Sequence, residues 1–426
     1  MEPGDRSGGR YLTAREAAEE LGVSVRTLYA YVSRGLVRSE AAGGGRRGRR
    51  YRAEDVRRLR ERKEHRRDPA RAAEGALDWG MPVLESGISL IADGRLYYRG
   101  RDAVALSGER SLEQVAQLIW TGSMAPGDRA AVPGLFRAAA RSVAGCPRLP
   151  LGGARPVLDE LGLALQAAAS RDPAAYDLRP AAVVRTGARI LRLLVGAATG
   201  EQDAGETAAR ALQRRWVPRD EGAAEILDRA LVLCADHELN VSSFTARCVA
   251  SAGATPYAAV VAGLAALGGV RHGGGTERVE AFLAEVEAAG DPREVVASRL
   301  RRGEAVPGFG HRLYPEGDPR AAALLAALAE GYPGSEALGL AEGAAEAAGA
   351  LVGERPNVDF ALAVLARVLG LPPGGALALF ALGRAVGWVG HAIEQYASGA
   401  PIRPRARYVG EPPPRPESGP SPARSG

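Results

Sequence analysis

The chain has 426 residues, a formal net charge of +5 and 46% hydrophobic residues, enough to bury a sizeable core in two or three domains. Aromatics make up only 5%, so Ala, Leu and Val must build that core, which favours helices and argues against an all-β architecture. Cys146, Cys234 and Cys248 are odd in number and form no C-x-x-C pair; they indicate neither a disulfide framework nor a zinc knuckle, and a reducing cytoplasm is expected.

Residues 1–10 read as disordered. No apolar signal-peptide core opens the chain. Residues 11–65 form a basic unit. The first 72 residues carry 19 Lys+Arg against 11 Asp+Glu, a balance of +8 that leaves −3 for the remainder, so an anionic partner is expected for this unit only. Thr13 and Glu16 predict a capping box at a first helix, Gly22 a turn, and Ser24 the cap of a second helix. Val25, Leu28 and Val32 share one face of that helix, leaving Arg26, Thr27 and Tyr31 to face outward. Arg46, Arg47, Arg49, Arg50 and Tyr51 read as a wing against phosphates, and a last helix from about Ala53 carries Arg57, Arg58, Arg60, Arg62 and Lys63.

This run, most of all residues 22–28 followed by Gly35-Leu36 and Arg50-Tyr51, resembles the MerR/excisionase-type winged helix-turn-helix. The resemblance implies double-stranded DNA as partner, with Arg26, Thr27, Tyr31, Arg49 and Arg50 as contacts. A small protein-docking module is the alternative.

Residues 66–80 read as a charged linker, residues 81–410 as an Ala/Leu-rich helical body, and residues 411–426, rich in Pro, Ser and Gly, as a mobile tail. In the body, Ser111 caps a predicted helix over residues 112–120, and residues 223–234 predict another. The longest apolar stretch read from the sequence, residues 257–270, is about 14 residues long, too short to span a bilayer and typical of a buried helix. Breaks are expected at Gly268-Gly269, Gly273-Gly274-Gly275, Pro307-Gly308 and Pro372-Pro373.

The five histidines are His65, His237, His272, His311 and His391. His272 and His311 are framed by glycines, which strip away bulk and expose the imidazole and nearby amides. Arg320, nine residues beyond His311, offers five donors suited to a carboxylate. Asp359 opens a predicted helix among apolar residues; burial would raise its pKa toward that of a general base, although alone it reads as a helix-start carboxylate. Together these suggest proton abstraction beside a carbonyl with polycarboxylate recognition. A metal site at Cys234 and His237, on one helix face, lacks further ligands at metal spacing.

From about residue 82 to 410 the motifs are similar to those of citrate synthases: residues 96–100 (LYYRG), 235–240 (ADHELN, the family's His-bearing helix motif), 356–360 (PNVDF), 384–388 (RAVGW) and 402–404 (IRP), in that order. The resemblance implies a mainly all-α, two-domain fold. The large domain would span 81–271 and 373–410, and the small domain 272–372 would close over the substrates. It implies a homodimer and no metal or redox cofactor. Asp359 would take a methyl proton from an acyl-CoA thioester. His272 would stabilise the enol, and His311 would polarise the ketone of a 2-oxo acid. His237, Arg320 and Arg384 would hold the carboxylates of oxaloacetate, with Arg403 reaching in from the partner subunit. The products would be citrate from acetyl-CoA, or 2-methylcitrate from propionyl-CoA. Thr276, Pro315 and residues 361–363 depart from the family pattern and bear on CoA affinity and acyl specificity. Two alternatives stand: a transcriptional regulator whose body senses a metabolite without turnover, and a different C–C bond reaction such as citryl-CoA cleavage. His391 reads as a packed structural residue and His65 as solvent-facing.

Overall fold

The computed structural model describes residues 11–33, 36–41, 49–53, 55–56, 59, 84–143, 156–201, 205–406 and 408–411. The expectations for residues 1–10, for Arg46 and Arg47, for the basic residues 57–63, for His65, for the linker 66–80 and for the tail past Glu411 fall outside these.

Thr13 opens the first helix by the expected capping box: Glu16 N–H donates to Thr13 Oγ1 (3.3 Å) and Thr13 N–H to Glu16 Oε2 (2.8 Å). The winged unit runs β1 (Tyr11–Thr13), α1 (Ala14–Glu20), α2 (Val25–Ser33), β2 (Ser39–Ala41), β3 (Arg49–Arg52), with an antiparallel sheet in the order β1-β3-β2. Gly22 makes the turn at φ +58°, and Ser24 Oγ accepts from Thr27 N–H at 3.2 Å. Ala17, Leu21, Leu28, Val37 and Tyr51 form its core. Two expectations for α2 change. Val25 is 37% exposed, and Tyr31, expected to face outward, packs partly against the core. At about 100° per residue, Tyr31 sits only about 60° round the helix from the fully buried Leu28.

The body forms one compact unit, Ser86–Arg403. It opens with an unanticipated antiparallel sheet, β4 (Ser89–Ala92), β5 (Arg95–Tyr98) and β6 (Arg101–Asp102). Helices α3 (Ala103–Glu109), α4 (Leu112–Thr121), α5 (Gly134–Val143), α6 (Val157–Ala169), α7 (Pro180–Thr199), α8 (Ala208–Trp216), α9 (Ala223–Leu233), α10 (Val241–Ser251) and α11 (Pro256–Leu267) follow. Next come α12 (Gly274–Ala289), α13 (Pro292–Arg301), α14 (Pro319–Gly331), α15 (Glu336–Val352) and α16 (Val358–Leu369), which pack chiefly on one another. The last helix, α17 (Gly375–Ser398), runs through the core against α4, α7, α9, α10 and α11.

Three body expectations are corrected. Residues 235–240 are not helical but form the turn between α9 and α10, because Glu238 takes φ +51° and Asn240 caps α10. Cys234 and His237 therefore share no helix face. Gly274 and Gly275 are not a break but the first turn of α12. Finally, α17 is longer than the stretch at 257–270 and apolar enough to cross a membrane by length and composition; it is enclosed within the body instead.

Candidate active site

Three of the expected residues, His237, His272 and His311, sit on breaks between helices, and glycines frame the last two. His272 lies in the turn between α11 and α12. That turn is closed by Gly273 N–H donating to Leu267 O at 2.8 Å, and a Cβ on Gly273 would meet that oxygen at 2.4 Å. His272 Nε2 is 2.9 Å from Ser242 Oγ. Trp388 Nε1–H donates to the same hydroxyl at 3.1 Å, so its one proton goes to Asn240 Oδ1 (2.8 Å) or to His272 Nε2. When it goes to His272, the ring keeps its own proton on Nδ1. Burial, and then the Arg384 charge, pull the His272 pKa down to about 4, so the ring is neutral near pH 7.

His311 is framed by Gly308 (φ +87°) and Gly310 (φ +74°). Its Nδ1 accepts Leu313 N–H at 3.2 Å, which places the neutral ring's proton on Nε2. Burial, and then Arg320, lower its pKa to about 4. The His311 loop is zipped to the Asp359 segment: Gly310 N–H donates to Arg355 O, and Asn357 N–H to Gly308 O, both at 2.9 Å. Asn357 Oδ1 caps α16 by accepting Asp359 N–H (3.1 Å) and Phe360 N–H (3.4 Å).

Asp359 thus stands on the first turn of α16. A Cβ on Gly275 would come within 2.5 Å of its Oδ2, so the bare first turn of α12 brings the His272 turn against this carboxylate. Asp359 Oδ1 is enclosed and accepts no hydrogen bond from the described residues. Burial pushes its pKa up to about 6, against the pull of Arg320. The enclosure outweighs any helix-start effect, which would lower it.

His237 lies on the turn after α9, its Nε2 3.1 Å from the Tyr314 hydroxyl and its ring 5.2 Å from that of His311. Burial, and then Arg320 and Arg384, hold its pKa well below the usual histidine value. Arg384 is buried on α17. Its Nε donates to Cys234 O at 2.9 Å, its guanidinium lies 4.8 Å from the Phe380 ring centre, and Nη2 meets no partner among the described residues. Arg320 is buried too, held by Asp318 through Nε (2.9 Å) and Nη2 (2.7 Å). Arg403 is exposed at the end of the body. His391 is fully buried and pairs with Asp236, Nε2 to Oδ1, at 3.1 Å.

Sequence reasoning missed Ser242, Tyr314 and Asp318 as participants. Asp318 had a legible signal, an acidic N-cap before Pro319. Ser242 had none, because its histidine is 30 residues away. Of the departures, Thr276 donates its hydroxyl to Gly273 O at 2.9 Å, residues 361–363 are core of α16, and Pro315 is exposed. Among the described residues, no group of three or more His, Cys, Asp or Glu could hold a metal ion.

In the winged unit Arg26, Arg49 and Arg50 are exposed. Thr27 Oγ1 is engaged with Ser24 Oγ at 2.9 Å, and Arg50 stacks 4.6 Å from the Tyr11 ring centre.

A family model for the citrate synthase C-terminal domain matches residues 76–405, and one for a helix-turn-helix domain matches residues 11–64. The citrate synthase of Haloferax volcanii is 33% identical over 365 residues, covering 78% of this chain and 94% of that protein. The crystal structure of citrate synthase from Thermotoga maritima matches with a TM-score of 0.66 at 26% identity, over 78% of this chain and 94% of that one. The citrate synthase of Thermoplasma acidophilum, solved as a ternary complex with carboxymethyl coenzyme A and oxaloacetate, shares the fold at a TM-score of 0.63 and 22% identity, over 78% of this chain and 95% of that one. The family match over residues 76–405, the 33% identity to the Haloferax volcanii protein and the shared helical scaffold make the chain a member of the citrate synthase family, an enzyme of the citrate synthase type that carries an N-terminal helix-turn-helix domain.

Proposed function

We propose that the body condenses acetyl-CoA, or propionyl-CoA, with oxaloacetate to give citrate, or 2-methylcitrate, and CoA. The observation that carries this is Asp359. An enclosed carboxyl with an unpartnered oxygen works against folding, and a pKa of about 6 suits it to taking a proton near neutral pH. A metabolite sensor needs cations for its ligand but not this base.

In this reading Asp359 removes a methyl proton from the thioester. With Ser242 donating to its Nε2, His272 carries its proton on Nδ1 and donates it to the thioester oxygen as charge develops there. His311 Nε2–H donates to the ketone oxygen. His237, Arg320 and the unpartnered Nη2 of Arg384 hold the carboxylates. The enol carbon attacks the ketone carbon, and water hydrolyses the resulting thioester to the tricarboxylate and free CoA. No step calls for a metal or a redox cofactor. Residues 272–372 close over the substrates as a small domain.

A second copy completes the site with its own Arg403. In α11 every side is apolar, yet Ala258, Val261, Ala262, Ala265 and Ala266, spaced as one helical stripe, are not fully buried, and Val241 on α10 is 65% exposed. Such a helix needs cover on every side. The buried free thiol of Cys234 accords with a reducing cytoplasm.

Thiol release from acetyl-CoA with oxaloacetate tests the enzyme reading. Wild type is expected to release thiol and Asp359→Ala to lose about 10²–10⁴-fold. No release with acetyl- or propionyl-CoA and any 2-oxo acid would sink it.

The winged unit is proposed to bind double-stranded DNA through Arg26, Arg49 and Arg50. With Thr27 bonded to Ser24 and Tyr31 packed inward, the outer face of α2 is left chiefly to Arg26. Affinity should fall steeply with salt, and Arg26→Ala should weaken it. Affinity indifferent to salt would argue for a protein-docking module instead.

A further inference from the structure

Three consecutive residues of the turn that carries His237 are docked on one stripe of α17. Arg384 Nε donates to Cys234 O at 2.9 Å, Gly387 N–H to Ala235 O at 2.9 Å, and His391 Nε2 lies 3.1 Å from Asp236 Oδ1. Positions 384, 387 and 391 fall at i, i+3 and i+7, one face of a helix. Gly387 must be bare for this contact, since a Cβ there would meet Asp236 Oδ1 at 2.4 Å. From the other side, β4 closes the turn: Ser89 Oγ donates to Asp236 Oδ2 at 2.5 Å and accepts Glu238 N–H at 2.9 Å. Both oxygens of Asp236 are therefore taken, and Asp236 and His391 are fully buried. Between these anchors stands His237, followed at once by Glu238 in the left-handed region at φ +51°. A non-glycine residue keeps that conformation only where its surroundings over-determine it.

We propose that the Ser89–Asp236–His391 chain is a positioning element for the 2-oxo acid: it holds His237 and Arg384 in mutual register without touching substrate. The inference rests on the reading of this site as the oxaloacetate pocket. Its consequence is selective. Loosening the chain should weaken oxaloacetate more than the acyl-CoA side: Asp359 stands on the first turn of α16, and His272, though bonded through Ser242 to Asn240 at the far end of this turn, sits on the turn before α12.

The test uses the full chain with His391→Leu, which removes the donor; His391→Gln, whose Nε2 restores it; and Ser89→Ala. Leaving a buried carboxylate oxygen unpartnered should raise KM for oxaloacetate by about tenfold or more in His391→Leu and Ser89→Ala, with KM for acetyl-CoA moving less than about twofold. His391→Gln should recover most of the loss. The proposal is overturned if both KM values move together, if neither moves, or if His391→Gln is no better than His391→Leu. Should His391→Leu fail to fold by circular dichroism, Ser89→Ala decides alone. If wild type shows no turnover, the enzyme reading fails, and thermal stabilisation by oxaloacetate across the same variants still decides the positioning role. Wild type unmoved by oxaloacetate overturns both.

Discussion

Asp359 is held where its charge is poorly solvated, and this sets both the chemistry and a stability cost. Its carboxyl titrates near 6 when folded, against 3.8 ordinarily. The folded state therefore binds this proton more tightly than the unfolded chain does. The resulting stabilisation is fully present below about pH 4 and is lost as pH rises through about 6. At pH 7.5 the ionised group opposes folding, so Asp359→Asn is expected to stabilise the protein there by about 2 kcal/mol while abolishing turnover. Thermal unfolding with and without the substitution checks this, and a less stable Asn variant would contradict it. Turnover of the wild type should fall on the acid side with an apparent pKa near 6, since His272 and His311, near 4, stay neutral throughout that range. The neighbours of Asp359 were legible in the motif around it, and its apolar flanks pointed to a raised pKa, but what encloses it was not legible. Taken alone, residues 356–360 read equally as an ordinary helix start, and only the bare first turn of α12 shows what encloses it.

The helices meet at glycines. Gly263 of α11 lies under Trp388 of α17, where a Cβ would fall 2.5 Å from the indole; Gly187 of α7 meets Val389, and Gly390 of α17 meets Ile119 in the same way. Trp388 cannot retreat, because its Nε1–H is bonded to Ser242 Oγ and the ring is fully buried. Gly263→Ala should gain about 1 kcal/mol of helix propensity and lose about 1–3 from overpacking, a net loss of stability. A rise in Tm would show that the Trp388 indole can give way to the added methyl group. Caps were readable from neighbouring residues, as at Thr13 and Ser111, since a cap reaches only two or three positions along the chain. The sheet β4–β5–β6 was not readable. Its strands are two to four residues long, too short to show an alternating pattern.

The proposed pairing of two copies across α10 and α11 would cover the apolar stripe on α11. Val261→Asp would place a charge within that stripe. It is expected to yield a monomer by light scattering, with activity reduced because each site loses the other copy's Arg403. An unchanged particle mass with unchanged activity would remove this face from consideration. The winged unit and the body differ in charge along the sequence itself, +8 in the first 72 residues against −3 beyond. That difference alone is enough to expect different partners for them.

Composition settled the helical class, and ordered motifs settled the family, because both depend on which residue types are present and at what spacing. The glycine-framed histidines, the capping boxes and the basic unit belong to the same local information. Folding decided the rest. Tyr31 turned inward because Leu28 defined the buried stripe. Residues 235–240 became a turn because Glu238 took a left-handed conformation between α17 and β4. His391 became a partner of Asp236, 155 positions away. Each of these depends on a contact between distant segments, where a hydrogen bond or an enclosed charge takes its energy from neighbours that no local pattern specifies.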